Sequence, residues 1–444
     1  STLAGLTLAG SSFVYRQQFK NSKTDRSPAS SEAPNILFMT ADDIGWWDLS
    51  CYGNTNIQTP HLDKLASEGM KFNNAFGVSS SCSSSRASFI TGQYITTHGV
   101  TGLTHRYLRR GLPPRRWTIA DYFKRSGYFT AIEGKWHVVI PVVPPSLYGY
   151  GDSLGAVLPW KRHIKHTRNI RKFMEYSQRE DVPFYLELNF TDTHRNASGK
   201  FKPDSDFQVD PNSIEVPEWM GLPNWEEIRA DLALYYAKVQ KTDQLVGETL
   251  QHLEELGMSD NTIVVFVSDN GSPFPGNKMT LYDRGIGTPL LIKYPKSIEA
   301  GSTSDALVST IDILPTVLDY AGIEQRSLIQ GKSLMPILMG QTQDQHREQI
   351  FSEMVAHVSH QPMRAVRDKN FKAILNITDS PIGLDDLADQ EWARRLCERA
   401  DQPWLRERVP FELYDLNADP YETNNLAGNP EFAEAENRYL DILS

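Results

Sequence analysis

Cysteine is scarce in this chain, and long apolar runs are missing. The 444 residues include three cysteines, Cys51, Cys82 and Cys397, which are too few for a disulfide framework. Apolar stretches are interrupted before they reach the length that spans a bilayer, so no membrane span is expected. Positive charge is also in deficit. The formal charge of −10 at pH 7 argues against non-specific nucleic-acid binding, although local basic stretches could still hold an anionic ligand.

The N-terminal residues 1–33 differ in composition from the rest. The opening STLAGLTLAG resembles the apolar end of a secretion signal without its Met and basic start, and a flexible tail is the alternative interpretation. The residues up to Ala33 are polar and rich in Ser and Lys, as is typical of a linker. We therefore expect a signal remnant and linker over 1–33, and a periplasmic or secreted protein.

Residues 34–345 alternate between short apolar runs and helical patterns. Such a long chain predicts a large domain with a smaller one. Four runs have the composition of buried strands in a mostly parallel sheet: Asn35–Thr40, Tyr128–Ile132, Phe184–Phe190 and Thr262–Val267. Three stretches have helical caps, spacing and terminal glycines: Thr59–Gly69, Thr118–Gly127 and Glu226–Gly257. The alternation predicts an α/β fold, with a large, mostly parallel mixed sheet sandwiched by helices.

Residues 346–444 have a different pattern. Four short strands separated by loops are predicted at Ile350–Ser352, Met363–Arg367, Phe371–Leu375 and Phe411–Tyr414, and a helix at Pro430–Leu443. This pattern indicates a small antiparallel sheet with a terminal helix. We expect a C-terminal subdomain that packs on the main domain.

Each of the four apolar runs in the main domain ends in a polar, ionisable cluster. Ligands bind beyond the carboxyl ends of strands in α/β sheets, so these clusters should converge. A single cluster could be a solvated loop, but four of one kind indicate a site. The clusters are Asp42-Asp43, Glu133–His137, Thr191–His194 and Ser268–Gly271.

The paired aspartates predict a metal site. Asp42 and Asp43 repel each other unless a cation or a proton relieves the charge. Asp269 and the amide oxygen of Asn270 add two oxygen donors, and an all-oxygen set suits Ca²⁺ or Mg²⁺ rather than zinc. The alternative is a helix cap at Asp42-Asp43 and a simple turn at Asn270-Gly271.

Cys82 lies among serines, which is an unusual setting for a structural cysteine. The following Ser83–Thr91 could form a short helix that ends at Gly92. A helix N-terminus lowers the pKa of a thiol and holds anions. Arg86 would lie near the same face and could fix an anion. Taken alone the pattern is weak, and an inert buried cysteine is the commoner outcome.

The segment Cys82–Arg86, followed by Thr91-Gly92, resembles the signature of type I sulfatases of the alkaline phosphatase superfamily. In that family a maturase converts the cysteine to formylglycine. The resemblance extends from about residue 35 to about residue 430 and includes the order of the polar clusters and Lys278. Within the family the chain is most similar to sulfamidases, which act on N-sulfoglucosamine. That similarity lies in SDNGSPFP at 268–275, PMRAV at 362–366, and ELYD at 412–415 with Asp419-Pro420 and Asn425-Leu426.

The resemblance implies an alkaline-phosphatase-like fold and a two-step hydrolysis by a formylglycine hydrate derived from Cys82. One Ca²⁺ would be bound by Asp42, Asp43, Asp269, Asn270 and the modified residue 82. Arg86 and Lys135 would stabilise the hydrate and the sulfate charge, and Lys278 would contact the sulfate. His137 would take the proton that releases sulfate, and His194 would protonate the leaving group.

Substrate contacts are predicted from basic islands and from the family architecture. One island comprises His105–Arg110 with Arg115 and Arg116, and it could line the approach of a polyanionic glycan. A second, Lys161–His166 with Arg168, Arg171 and Lys172, is interpreted as a solvated helix face. The candidate substrate residues are His105, Arg106, Arg195, His357, His360 and Arg364.

Three departures from the family pattern keep alternatives open. Ser84 stands where the signature usually has Pro or Ala. Lys278 and Trp136 follow the general sulfatase pattern, and the segment after His194 is short.

The leading hypothesis is a sulfatase acting on an N-linked or O-linked sulfate of a saccharide. The alternatives are a phosphoester or phosphonate hydrolase of the superfamily, and a catalytically silent glycan-binding protein. A formylglycine-generating maturase is the expected protein partner, and the oligomeric state stays open, with a homodimer among the options.

Overall fold

The structure is a computed structural model, which describes most of the chain beyond the N-terminal segment. The described residues are 32–105, 110–113, 116–139, 152–153, 164–326, 328–379, 387, 390–398 and 408–444. The predictions for residues 1–31, for Arg106, Arg109 and Arg115, and for Lys161–His163 therefore lie outside the described residues.

A large mixed sheet forms the centre of the main domain. Its strands run in the order β5-β4-β6-β1-β7-β8-β2-β9, and β8 alone among them runs antiparallel to its neighbours. A separate pair, β3 and β10, is parallel. The bounds are β1 (Asn35–Ala41), β2 (Met70–Phe72), β3 (Ala75–Phe76), β4 (Phe129–Gly134), β5 (Asp152–Ser153), β6 (Phe184–Asn189), β7 (Thr262–Ser268), β8 (Leu290–Lys293), β9 (Ser302–Ser304) and β10 (Val308–Ser309).

Helices cover both faces of this sheet. Alternate residues of β1 point to opposite faces, so Leu37 and Met39 join one hydrophobic cluster, while Ile36 and Phe38 join the other. The predicted α/β fold with helices on both sides is confirmed. The helices of this part are α1 (Pro60–Glu68), α2 (Cys82–Thr91), α3 (Ile95–His98), α4 (Ile119–Arg125), α5 (Arg168–Arg179), α6 (Glu226–Glu255), α7 (Asp283–Ile286), α8 (Ile313–Tyr320) and α9 (Met335–Leu338).

The four strands predicted in the main domain are β1, β4, β6 and β7, and the three predicted helices are α1, α4 and α6. The second basic island continues into α5, where Arg171 pairs with Glu175 at 2.9 Å and with Glu255. These contacts agree with a solvated helix face. Among the described residues, no helix combines the length and the apolar character needed to cross a bilayer.

The C-terminal part contains the predicted antiparallel sheet, in the order β11-β12-β13-β14. One face of this sheet packs on helix α11 through Val366, Ala373 and Leu413. The other face packs on the main domain through Met363 and Ala365. Since one hydrophobic cluster includes residues of both parts, the division at 345/346 stays a prediction. The elements are β11 (Ile350–Ala356), β12 (His360–Arg367), β13 (Phe371–Asn376), β14 (Phe411–Asp415), α10 (Glu391–Cys397) and α11 (Ala433–Leu443).

A buried group of charges, here called the interdomain ion network, joins the two parts. Asp283 of α7 accepts from Arg367 at 3.0 Å and from Lys372 at 2.8 Å. Lys372 also pairs with Glu422 at 2.9 Å. Burial opposes ionisation, but the two cations hold the pKa of Asp283 below its ordinary value. The network fixes the small sheet against the edge of the main domain.

Candidate active site

Four parallel strands end side by side at one edge of the large sheet. The order β4-β6-β1-β7 and the registers Gly134 with Asn189, Thr40 with Asn189, and Ala41 with Ser268 align their carboxyl ends. The residues that follow these strands therefore meet at this edge. The structure brings together Asp42, Asp43, Lys135, Asp269 and Asn270 in this way.

Helix α2 brings the signature cysteine to the same place. Cys82 is its first residue, and Gly92 ends it in a left-handed conformation (φ 65°). Arg86, one turn further on, donates to Asp269 at 2.8 Å, to Asn189 at 3.0 Å and to Asp42 at 3.3 Å. These bonds dock the start of the helix on the strand ends.

Four potential ligand groups form the buried centre of the site. One ligand atom from each of Asp42, Asp43, Cys82 and Asp269 lies within 4.8 Å of the others. Cys82 Sγ is 3.9 Å from Asp43 Oδ1. Asp43 has φ 61°, an uncommon value for a residue other than glycine. Its backbone N–H donates to Asp269 Oδ1 at 3.0 Å, which holds the strained residue in place.

Three cations surround the carboxylates. Lys135 donates to the two oxygens of Asp42 at 2.7 and 2.8 Å, and Lys278 donates to Asp43 at 2.9 Å. Arg86 is the third cation. Burial alone would raise the pKa of Asp42, but Lys135, His194 and Arg86 hold it well below its ordinary value. Three carboxyl groups thus face three basic groups in a buried pocket, and burial raises the pKa of Asp269 to about 7 in spite of Arg86.

The donor set fits a hard metal ion. Asn270 is fully buried, and its Oδ1 has no hydrogen-bond partner in the described part of the chain, whereas its Nδ2 donates to Asp43 Oδ1 at 2.8 Å. A buried acceptor without a donor is costly. A cation beside Asp42, Asp43 and Asp269 would satisfy it with oxygen ligands.

Two histidines lie around this centre. His137 Nε2 is 2.8 Å from His105 Nδ1, and the two rings stack with centroids 4.9 Å apart. His137 Nδ1 is buried and has no hydrogen-bond partner among the described residues. Burial, together with Lys135 and His105, lowers the pKa of His137 well below its ordinary value. Burial and Lys278 lower the pKa of His194 to about 4. Both imidazoles are therefore neutral at pH 7.

The candidate substrate residues fall in different places. His105 contacts His137, and His357 Nδ1 is 3.0 Å from Ser81 Oγ, next to the cysteine. Arg195 instead is buried in a bidentate pair with Asp231 (2.6 and 3.2 Å) and lies over the ring of Phe201.

His360 and Arg364 are exposed residues of β12. Arg364 alternates with Met363 and Ala365, so it lies on the outer face of the small sheet, where it reaches the carbonyl of Leu443 at 3.5 Å. Its position does not support contact with a ligand at the cluster. Arg106 lies outside the described residues.

Three supporting residues had not been singled out from the sequence. Asn189 accepts from Arg86, and Ser81 contacts His357. Tyr235 of α6 donates to the backbone carbonyl of Asp43 at 2.9 Å. Asn189 is the last residue of β6 and lies within the predicted run Phe184–Phe190, so the strand-exit argument could have found it. Tyr235 carries no sequence signal, because it sits in the apolar stripe of a long helix.

The family model for sulfatases matches residues 34–323, and the model for the C-terminal part of N-sulphoglucosamine sulphohydrolase matches residues 276–390. The chain belongs to the sulfatase family, whose members hydrolyse sulfate esters or sulfamates, and the resemblance predicted from the motifs is confirmed. Human N-sulphoglucosamine sulphohydrolase is 33% identical to it, over 92% of this chain and 89% of the human protein. An ulvan-active sulfatase of Formosa agariphila is 28% identical, over 93% of this chain and 74% of that protein.

Solved structures agree with the fold. A structure in complex with its substrate D-glucosamine-2-N,6-O-disulfate has a TM-score of 0.68 and 23% identity, covering 93% of this chain and 97% of that one. The phosphonate monoester hydrolase of Agrobacterium radiobacter has a TM-score of 0.69 and 20% identity, covering 92% and 94%. At these identities the likeness supports the shared architecture and leaves the reaction to be argued from the site.

Proposed function

We propose that the protein is a sulfamidase-like sulfatase that removes sulfate from N-sulfoglucosamine or a related unit of a glycosaminoglycan or similar polysaccharide. The observation that carries this proposal is the position of Cys82 at the start of α2, with its Sγ among the carboxylates of Asp42, Asp43 and Asp269. The similarity to human N-sulphoglucosamine sulphohydrolase over nine-tenths of the chain supports the N-linked sulfate.

The site also supports the two cofactors that the family resemblance implies. One Ca²⁺ would be held by Asp42, Asp43, Asp269, the amide oxygen of Asn270 and residue 82, and the residue at 82 would be formylglycine made from the cysteine by a maturase. When bound, the ion would polarise the sulfate oxygens, and the hydrated aldehyde would supply a nucleophilic oxygen that can be regenerated. Export to the periplasm or outside the cell stays a prediction of the sequence.

The cations of the site would hold the sulfate charge. Arg86, Lys135 and Lys278 are almost fully buried, and cations act more strongly in a water-poor pocket. Each now pairs with a carboxylate at 2.7 to 2.9 Å, and Arg86 also contacts Asp42 at 3.3 Å. A divalent ion among the carboxylates would weaken these pairs and free the ammonium and guanidinium groups for the anionic substrate.

The two histidines suit opposite proton transfers. His137 is held through Nε2 by His105, which leaves the unpartnered Nδ1 as the atom that would take a proton from residue 82. His194 Nδ1 donates to the carbonyl of Arg195 at 2.5 Å, so its Nε2 is the nitrogen that titrates. Negative charge on the substrate would favour a proton there, and His194 would pass it to the leaving nitrogen or oxygen.

Sulfate release from N-sulfoglucosamine, measured beside 6-O-sulfated glucosamine and ulvan oligosaccharides, tests the substrate. The expected result is a preference for N-sulfoglucosamine. Turnover of an O-sulfate without turnover of N-sulfoglucosamine would contradict the sulfamidase assignment and leave the mechanism intact.

Intact-mass analysis of the peptide with residue 82 tests the modification. A retained thiol in protein that also lacks turnover would favour the silent glycan-binding alternative.

An O-sulfatase is the second candidate. Besides the ulvan-active sulfatase, an N-acetylglucosamine-6-O-sulfatase of Bacteroides thetaiotaomicron is 25% identical over 93% of this chain and 86% of that protein. The same catalytic cluster would serve either linkage, because the attack is on sulfur. The leaving atom then differs, and only His194 and the sugar contacts would distinguish the two.

A further inference from the structure

Arg408 is a buried arginine of the small subdomain with few partners. Its side chain precedes β14 and is 9% exposed. Within the described residues its polar contacts are Gln361 Oε1, to which Nη2 donates at 3.0 Å, and Met363 Sδ, 3.9 Å from Nη1. A guanidinium has five N–H donors. Two are used by these contacts, so three have no acceptor among the described residues.

Arg408 also differs from its basic neighbours because it has no ion pair among the described residues. Arg367 and Lys372, in adjacent strands, contact Asp283 at 3.0 and 2.8 Å. Glu412 attracts Arg408, but the oxygens of that carboxylate accept from Asn376 at 2.6 Å, Tyr282 at 2.8 Å and Tyr414 at 2.6 Å. Burial lowers the pKa of Arg408 in spite of this attraction. A buried cation without a close carboxylate is costly, and an anionic ligand would offset that cost.

The position of Arg408 connects it to the active site. Gln361 and Met363 alternate along β12 with residues of the outer face, and both are buried between the small sheet and the main domain. Gln361 Nε2 donates to Ser359 Oγ at 2.8 Å, in the loop that leads back to His357. His357 contacts Ser81, the residue before Cys82. The guanidinium is thus linked to the residue before Cys82 through Gln361, Ser359 and His357.

We propose that Arg408 forms a second anion subsite, which binds a sulfate or carboxylate group of the saccharide other than the sulfate that is removed. This inference rests on the proposed function, since it assumes a sulfated saccharide at the cluster. The planar fork of an arginine binds both kinds of oxyanion through two parallel hydrogen bonds. Gln361 holds one edge of the guanidinium and so orients the fork. The subsite would make the enzyme prefer units that carry two anionic groups.

Binding to the Cys82→Ala protein tests this subsite without turnover. The three probes are N-sulfoglucosamine, glucosamine-2-N,6-O-disulfate and an N-sulfated disaccharide with a uronate. The second and third place the extra anion on the same sugar and on the neighbouring sugar. In the Arg408→Gln background, we expect affinity for at least one doubly anionic probe to fall about tenfold to hundredfold. Affinity for N-sulfoglucosamine should stay within twofold. The probe that loses affinity identifies the source of the anion.

Two further variants separate binding from folding. Gln361→Glu places a carboxylate against Arg408 and cancels its charge with little change in packing, so it should cause the same selective loss even if Arg408→Gln is unstable. Arg438→Gln removes an exposed arginine of α11, whose side chain is 61% exposed, and should change no affinity. Equal losses for all three probes, or no loss for either doubly anionic probe, would overturn the subsite. Failure of every probe to bind the Cys82→Ala protein with Arg408 intact would overturn the proposed function, and the subsite with it.

Discussion

Two buried groups of charges can be compared in this molecule: the catalytic cluster and the interdomain ion network. In the cluster, Asp42, Asp43 and Asp269 face Arg86, Lys135 and Lys278. In the network, Asp283 and Glu422 face Arg367 and Lys372. In both, every charged group has an oppositely charged partner within 3.0 Å. Paired charges alone therefore do not distinguish a site that acts on a ligand from one that joins two parts of a fold.

The difference lies in the neutral atoms around the charges. Beside the cluster, Asn270 Oδ1 and His137 Nδ1 are buried and have no hydrogen-bond partner in the described part of the chain. Asp43, His137 and Met279 have positive φ values of 61°, 53° and 68°, but Glu422 of the network has one of 56° as well, so backbone strain does not distinguish the two groups. Under the proposed function, Asn270 Oδ1 would meet the cation and His137 Nδ1 would accept the proton. The charges of the network, in contrast, pair with one another and with adjoining backbone groups.

The largest expected effect is the loss of the nucleophile. Cys82→Ala should lower sulfate release by at least about 10⁴-fold, because the attacking oxygen of the proposed mechanism is carried by residue 82. The melting temperature should change little, since the change removes only the end of one small side chain. The matched control is Cys397→Ala, which alters an exposed cysteine and should leave both quantities unchanged. Retained turnover in Cys82→Ala would refute the role of residue 82.

A substitution in the interdomain ion network should lower stability and leave turnover unchanged, the opposite of the result expected for Cys82→Ala. Asp283→Ala leaves Arg367 and Lys372 without their shared carboxylate, and breaking a buried pair in this way costs about 3–5 kcal/mol of unfolding free energy. Chemical denaturation measures this loss, and kcat of the protein that remains folded should match the wild type. Asp260→Ala, at an exposed position, is the control for removing a charge. A fall in kcat with unchanged stability would show that the network belongs to the catalytic machinery.

The local pattern of apolar and polar residues in the sequence was sufficient to predict much of the fold and the site residues at the strand ends. The runs that became β1, β4, β6 and β7 are long and apolar, and each leads into a polar residue at the same sheet edge. Strand β8 had no comparable signal, because Leu290–Lys293 is four residues long and pairs antiparallel only through long-range contacts. The short strands β2 and β9 were not identified for the same reason.

Contacts between distant side chains limited the prediction of substrate residues. Arg195 looked available beside His194, but α6 supplies Asp231, 36 residues later, as its partner. Arg364 faces outward because side chains alternate along β12, and the odd-numbered positions of that strand are the ones that face the main domain. The pairing of His105 with His137 and the sparse contacts of Arg408 likewise depend on packing between segments that are far apart in sequence.

Calcium binding would sharpen the contrast between the two charged regions. Ca²⁺ at about 100 times its dissociation constant should raise the unfolding free energy by about 2.7 kcal/mol, because it binds only the folded cluster. Asn270→Ala should need a higher Ca²⁺ concentration for the same gain, since it loses the unpartnered oxygen as a ligand. Thermal melts across a Ca²⁺ series with a chelator blank measure both. Asp283→Asn, although less stable, should keep the wild-type dependence on Ca²⁺, and a weakened dependence there would contradict the separation of the two regions.

The smallest expected effect concerns His98, which contacts Ser88 of helix α2. Its Nδ1 accepts from the Val100 N–H at 3.1 Å, so its Nε2 carries the proton and donates to Ser88 Oγ at 3.0 Å. Burial, with repulsion from Arg116, lowers the pKa of His98 to about 3. The unfolded chain therefore binds a proton near pH 6.5 that the folded protein does not bind until about pH 3. The stability that neutral His98 contributes is complete above pH 6.5 and is lost as the pH falls.

This difference amounts to about 2 kcal/mol between pH 7 and pH 5, at 1.36 kcal/mol for each unit of pKa difference. Denaturation of the wild type and His98→Gln at both pH values measures it. The variant should be less stable at pH 7 but should lose less stability on acidification. His166→Gln, at an exposed position of the same residue type, should keep the wild-type slope. If His98→Gln loses as much stability on acidification as the wild type, the acid sensitivity arises from the catalytic cluster at the N-terminus of α2 and not from His98.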